Sequence, residues 1–321
     1  MKQKMAASLA LASVVWAGNA VACGAGFCLG DTGWDAQGGN TREGWTLGLR
    51  YEYIHNNRPL SGSTKVAPIT AAAPQQGEIT TTNRNYLVDL GYTFDSHWQV
   101  ELEVPLMQRY HQHYDAALNL LTWNYQTLGD IKLLTSYRFA DAGEPGFGVR
   151  AGIKLPTGSI SQLATDGVTL AERMFQPGTG STDLILGAFY SHDSHDSDLH
   201  WFASGHLQQP LTTRNGGPGG ADQTYRPGNT LALGAGLTYP LMEKLRLTVQ
   251  GNWHQTGRES GTAGDPVNTG GRTLAVSPGF SFAAAPDTQL YASLQLPVYQ
   301  YLNGTQLSNT LGVMVGANQR F

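Results

Sequence analysis

Residues 311–321 read LGVMVGANQRF and decide the fold class. Leu311, Val313 and Val315 fall on one face of the segment. Met314, Gly316 and Asn318 fall on the other face. This period of two is typical of a β-strand that lies between lipid and a polar lumen. The segment stops on Phe321, which is similar to the assembly signal read by the barrel-assembly machinery of Gram-negative bacteria. The stretch therefore predicts a transmembrane β-strand.

The N-terminus indicates export. Two lysines precede an apolar run, and an A-x-A cleavage box ends at Ala22. We predict a signal peptide at residues 1–22, a periplasmic or lumenal segment at 23–44 and a barrel at 45–321. No later run approaches the ~18 apolar residues of a spanning helix, so strands must cross the membrane.

The composition agrees with a β-rich membrane protein. The chain has 40 Gly, 14 Tyr and 7 Trp, and only 14% of its residues are charged. Glycine suits frequent turns, and Tyr and Trp suit the aromatic girdles of a barrel. The formal net charge of −4 gives no indication of nucleic-acid binding.

Twelve segments of alternating hydrophobicity follow the N-terminal region, each near the ~9–11 residues that a tilted strand needs. Short and long connections alternate between them, which is the asymmetry of periplasmic turns and external loops. We therefore predict an all-β fold, a transmembrane antiparallel up-and-down β-barrel of about 12 strands in the bacterial outer membrane. The predicted spans are 45–56, 82–94, 98–110, 129–139, 146–156, 180–190, 199–210, 230–241, 245–255, 273–283, 288–299 and 309–321.

Charged side chains project into the lumen on the same alternation. They either pair across strands or line a water-filled path and bias the solutes that pass. Both signs are mixed on adjacent strands, and Asp183 is expected to pair with Lys154 or Arg150. The predicted lumen and selectivity residues are Arg50, Glu52, Asp89, Glu101, Glu103, Asp130, Lys132, Arg138, Arg150, Lys154, Asp183, Arg246 and Arg320.

The two cysteines, Cys23 and Cys28, form a disulfide candidate in an oxidising periplasm. Lipidation of Cys23 and a metal or redox site remain open alternatives. His192, His195 and His200 are candidate metal ligands because aspartates interleave with them, although solvated turn chemistry explains the same composition. No cofactor is expected.

A nucleophilic enzyme is a further alternative. The triplets at 192–194 and 195–197 have the His-x-Ser spacing of outer-membrane phospholipases. Both triplets fall on a predicted periplasmic turn, whereas that enzyme family places its pair on the lipid-facing wall toward the outer surface. We therefore expect no enzyme activity.

Three motifs carry a family resemblance: GDIKLLTSYR at 129–138, KLPTG at 154–158 and GTGSTD at 178–183. Together they resemble the outer-membrane barrels of the meta-pathway phenol degradation family, which are labelled as transporters. The resemblance covers roughly 129–321. It implies an outer-membrane channel or facilitator and does not identify the solute.

We therefore expect passive passage of small solutes, including hydrophobic or aromatic ones. The expected partners are outer-membrane lipid, the barrel-assembly machinery and the solute. A non-conducting barrel with a structural, partner-binding or metal-handling role is the main alternative, and an outer-membrane lipid hydrolase is the other.

Overall fold

The computed structural model describes residues 42–67, 77–115, 117–141, 146–193, 199–216 and 222–321. The predicted signal peptide, the 23–44 segment apart from its last three residues, both cysteines and His195 lie outside these ranges. No helix in the described ranges is long and apolar enough to cross a membrane.

Strands account for most of the described chain, and one 3₁₀ turn lies at Arg173–Phe175. The strands are β1 Gly44–Gly62, β2 Thr64–Lys65, β3 Gly77–Thr93, β4 Trp98–Tyr114, β5 Leu120–Leu128, β6 Lys132–Arg138, β7 Gly146–Lys154, β8 Asp183–Asp193, β9 His200–Pro210, β10 Arg214–Asn215, β11 Thr224–Tyr225, β12 Thr230–Met242, β13 Leu245–Thr256, β14 Gly271–Ala285 and β15 Thr288–Arg320.

Eleven of the described strands form a closed antiparallel ring in the order β15-β14-β13-β12-β9-β8-β7-β6-β4-β3-β1, and β1 pairs back with β15. β15 has 33 residues and makes two passes. Its 288–302 half pairs with β14 and its 305–320 half pairs with β1. The Arg320 N–H donates to the Asp287 carbonyl at 2.9 Å, which joins the two halves. The ring therefore contains twelve passes, as the sequence predicts.

The predicted spans 288–299 and 309–321 leave a loop at 300–308, and this loop prediction is wrong. β15 reverses directly near Gly304, which has a φ of +60° that glycine adopts without steric cost. The alternation of apolar and polar residues does not mark a strand here, because the outer end of the hairpin projects beyond the lipid, where alternate residues need not be apolar.

The predicted external loop at 111–128 is also largely strand. β4 extends to Tyr114, and β5 pairs with its outer half while β6 pairs with its inner half. The interruption between β5 and β6 lies opposite Pro105, which has no N–H to donate. The Gly129 N–H still donates to the Pro105 carbonyl at 2.9 Å, so β5 and β6 together make one pass.

The two faces of the wall follow the predicted alternation. On β12, Leu233 and Leu237 are 47% and 54% exposed, whereas the inward Ala232 and Thr238 are 6% and 5% exposed. Half-exposed aromatic residues lie at the turn ends, as an interfacial girdle requires. They include Trp45, Phe94, Trp98, Phe139, Phe147 and Tyr239.

Candidate functional site

A mixed-charge network lines one side of the lumen. Arg50 on β1 places Nε 3.0 Å from Glu52 Oε1 and Nη2 2.9 Å from Glu103 Oε2. Its Nη1 lies 3.7 Å from Asp89 Oδ2. Lys132 Nζ lies 2.8 Å from Glu103 Oε1, which extends the network to β6. Inward alternation on four neighbouring strands thus brings these predicted lumen residues together as ion pairs.

A second cluster centres on Lys154 at the outer end of β7. Its Nζ lies 2.7 Å from Asp130 Oδ2 and 3.3 Å from Asp183 Oδ2. The three side chains are 5%, 5% and 2% exposed. Lys154 Nζ also donates to the Ser181 carbonyl at 3.0 Å and to the Thr179 hydroxyl. The expected pairing of Asp183 with Lys154 is confirmed.

The three motifs of the family resemblance meet at this cluster. Asp130 accepts the Gly158 N–H and the Thr179 N–H, each at 2.9 Å. Thr157 Oγ1 accepts the Ile131 N–H and donates to the Gly129 carbonyl, again at 2.9 Å. These bonds clamp the base of residues 155–182, which we name the inward loop.

The inward loop is anchored to lumen-facing side chains of β4. Phe175 stacks on His111 with ring centroids 3.9 Å apart. Arg109 Nη1 donates to the carbonyl of Met174 at 3.3 Å. Trp123 of β5 is 1% exposed and packs in the same buried cluster as Phe175. The loop is therefore packed against the wall rather than extended into solvent.

Sequence reasoning missed Arg109 and Phe175 as residues that anchor the inward loop. The inward position of Arg109 was predictable, because alternation places it on the lumen face of β4. Phe175 lies in a segment without periodicity, so no local pattern predicts its contact.

Glu172 of the inward loop interacts electrostatically with two acidic residues of another outer loop, Glu259 and Asp265. Glu259 lies in the 257–270 loop between β13 and β14, and its Oε1 accepts the Tyr225 hydroxyl at 2.7 Å. Removal from bulk water, more than repulsion from neighbouring acidic groups, raises the pKa of Glu172 and of Glu259 to about 7. The acidic neighbours of Glu172 are Asp265 and Glu259.

Two inward aromatic rings lie on β8 and β9, and neither β9 nor the adjacent β12 contains an Asp, Glu, Lys or Arg residue. Phe202 of β9 is 1% exposed, and a Cβ added to Gly236 on β12 would lie 2.5 Å from its ring. A Cβ on Gly148 would likewise overlap the Phe189 ring. Glycine on the neighbouring strand therefore lets each ring lie flat along the wall. The inward face therefore includes apolar side chains, whereas the alternation predicts a polar lumen.

The remaining predicted lumen residues are distributed along the wall. Arg138 donates to Ser191 Oγ at 3.3 Å, and Arg150 donates to Ser136 Oγ at 3.0 Å. Glu101 faces Gly91 on β3. Arg246 and Arg320 line a cavity of about 420 Å³ at the periplasmic end, which also includes Arg42, Glu243, Lys244 and Asp287.

The described histidines of the predicted metal group lie on opposite faces of the wall. His192 lies on the lipid-facing side, with its ring 5.7 Å from Trp201. His200 lies on the lumen side, with its ring 6.1 Å from Phe202. These two side chains therefore cannot share one ion, and the described residues contain no group of three His, Cys, Asp or Glu arranged to hold a metal.

A closed antiparallel ring with an apolar outer face and a charged inner face defines an integral outer-membrane β-barrel. The family model described as "Putative MetA-pathway of phenol degradation" matches residues 96–308, more than half of the chain. The chain belongs to this family. No curated protein sequence matches it.

The fold is similar to solved outer-membrane barrels. An outer membrane channel from Pseudomonas putida F1 has a TM-score of 0.64 at 12% identity, covering 88% of this chain and 97% of that one. The autotransporter NalP translocator domain from Neisseria meningitidis has a TM-score of 0.49 at 13% identity, covering 89% and 91%. The Ralstonia pickettii toluene transporter TbuX has a TM-score of 0.46 at 11% identity, covering 93% and 97%. At these identities the similarity concerns the fold.

Proposed function

We propose that the protein is a passive outer-membrane channel for small solutes, including hydrophobic or aromatic ones. The observation that carries this proposal is a lumen whose wall combines the Arg50 ion-pair network with a partly exposed aromatic ring, Phe189 of β8. Family membership and the fold of a solved channel support the same function.

The charged wall accounts for wetting of the lumen. Arg50 and Lys132 face three carboxylates in one connected network, so most of the charge is compensated locally. A compensated wall attracts water without holding a strong single-sign field that would reject one class of ion.

The Phe189 ring accounts for uncharged solutes. It lies over Gly148 and is partly exposed, so it offers an apolar surface to a passing solute. A flat aromatic solute can stack on such a ring, and this interaction is weak enough to permit release.

Two further interactions complete the proposal. Lipid covers the exposed apolar face of the ring, and the barrel-assembly machinery recognises the final strand. Phe321 is 73% exposed, and its N–H donates to the Trp45 carbonyl at 2.9 Å, which places it at the seam between the first and last strands.

Single-channel recording of the refolded protein without residues 1–22 tests the proposal, with and without residues 23–44. We expect steady conductance from at least one form. Swelling of proteoliposomes in small uncharged solutes provides a second readout. Silence in both measurements from both forms would overturn the channel and favour a structural or partner-binding barrel.

A further inference from the structure

Three outer segments are joined across the mouth of the barrel. The Arg173 guanidinium of the inward loop lies over the Tyr225 ring of β11, 4.5 Å from its centroid. The Tyr225 hydroxyl donates to Glu259 of the 257–270 loop at 2.7 Å. A continuous chain of contacts therefore runs from the β7–β8 loop to the β13–β14 loop.

Four carboxyl groups from the outer end of the barrel interact electrostatically with one another. Glu172 comes from the inward loop, Glu259 and Asp265 come from the 257–270 loop, and Glu78 comes from the outer end of β3. Burial first, and then repulsion from Asp265 and Glu259, raises the pKa of Glu172. Burial first, and then repulsion from Glu172 and Asp265, raises the pKa of Glu78. We name Glu78, Glu172, Glu259 and Asp265 the mouth cluster.

The compensation of charge in the mouth cluster is incomplete. Glu259 accepts the Asp265 N–H at 3.1 Å, and Glu78 accepts the Leu307 N–H at 3.1 Å. Attraction to Arg173 stabilises the ionised form of Glu259, and Arg214 repels Arg173. Within the described ranges, none of the three glutamates has a Lys or Arg nitrogen within 4.0 Å. Ionising several of these carboxyls together places like charges between segments that touch.

We propose that the mouth cluster is a proton-operated latch, which holds the inward loop and the 257–270 loop together when protonated and releases them when ionised. This regulation rests on the proposed channel function, because the latch controls entry to the same lumen. The groups that face the latch are the four carboxyls, Tyr225, Arg173 and Arg214.

The direction of the pH dependence follows from the linkage between proton binding and the joined arrangement. Glu172 and Glu259 have pKa values raised to about 7 in the joined arrangement, so this arrangement binds more protons than a separated one. The joined state is therefore favoured below the ordinary glutamate pKa, and this preference is lost as the pH rises toward about 7. Each pKa unit of difference changes the ratio of joined to separated states about tenfold.

The test compares channel currents at about pH 5 and about pH 8 with a chelator present, so that divalent cations do not act as counter-ions. We expect the open-to-closed ratio to rise at least about tenfold at the higher pH. The Glu172→Gln/Glu259→Gln double variant should stay closed at both values. Glu43→Gln, at an exposed position just before β1, is the matched control and should behave as the unmodified protein.

A distance measurement separates failure of the latch from failure of the channel. Spin labels at Val168 and Val267, which are 81% and 63% exposed, report on the two loops. Cys23 and Cys28 are replaced by serine to avoid background labelling. A longer distance at the higher pH without any current keeps the latch and overturns the channel. Current with a distance and an open-to-closed ratio that are both independent of pH overturns the latch alone.

Discussion

Replacement of Lys154 by methionine is expected to destabilise the barrel by about 3 kcal/mol, at the low end of the ~3–5 kcal/mol typical of breaking a buried ion pair. Lys154 is 5% exposed and contacts two carboxylates that are equally inaccessible. Methionine fills much of the same volume, so the loss is electrostatic rather than a cavity. The variant leaves Asp130 and Asp183 close together without a cation.

The hydrogen bonds that remain in the Lys154→Met variant keep the expected loss of stability at the low end of this range. Asp130 keeps the N–H groups of Gly158 and Thr179, and Asp183 keeps the Ser181 hydroxyl at 2.6 Å. Gln208 Nε2 also donates to Asp183 at 2.6 Å. These donors stabilise each carboxylate but do not remove the repulsion between them.

Urea unfolding in lipid vesicles, followed by tryptophan fluorescence, measures the difference in free energy. Lys244→Met at an exposed turn is the matched control, and we expect a change within about 0.5 kcal/mol. Adding Asp183→Asn to Lys154→Met should recover about 1 kcal/mol, because one of the two facing charges is removed. If Lys154→Met is no more costly than the control, the buried-ion reasoning is refuted.

Three further variants test the walls and the loop. Arg50→Met leaves three carboxylates against one lysine, so the cation-to-anion permeability ratio from reversal potentials should rise several-fold, and an unchanged ratio would contradict a role in selectivity. Gly236→Val should push Phe202 off the wall and lower conductance about twofold or more, whereas Gly251→Ala, whose added Cβ meets its nearest atom only at 4.0 Å, should not. Arg109→Gln should release the inward loop and increase its hydrogen exchange, while equal exchange would show that the arginine does not hold it.

The membrane-embedded part of the fold was predictable from sequence because lipid imposes a period of two. Alternation placed Arg50, Glu103 and Lys132 on one face, and strand order then brought them into contact. The pairing of Asp183 with Lys154 followed from the same two facts.

The arrangement of the outer mouth was not predictable, because lipid imposes the period of two only within the membrane. Beyond the lipid neither face of a strand needs to be apolar, so the sequence predicts a loop where β5 lies. Glu172 and Glu259 meet through tertiary packing of segments that have no periodicity. Their meeting depends on how three loops fold over the ring, and no local pattern records that arrangement.

The seam between β1 and the second half of β15 constrains the order of folding. It pairs Thr46 with Arg320, residues 274 apart in the sequence, whereas every other neighbouring pass is joined by a much shorter connection. Relative to a ten-residue hairpin, closing such a span costs about 3 kcal/mol more in chain entropy. The hairpins can therefore form one after another along the chain, and the seam forms last. Until then both edge strands offer unpaired backbone groups, which makes the nearly finished sheet the species most prone to aggregate.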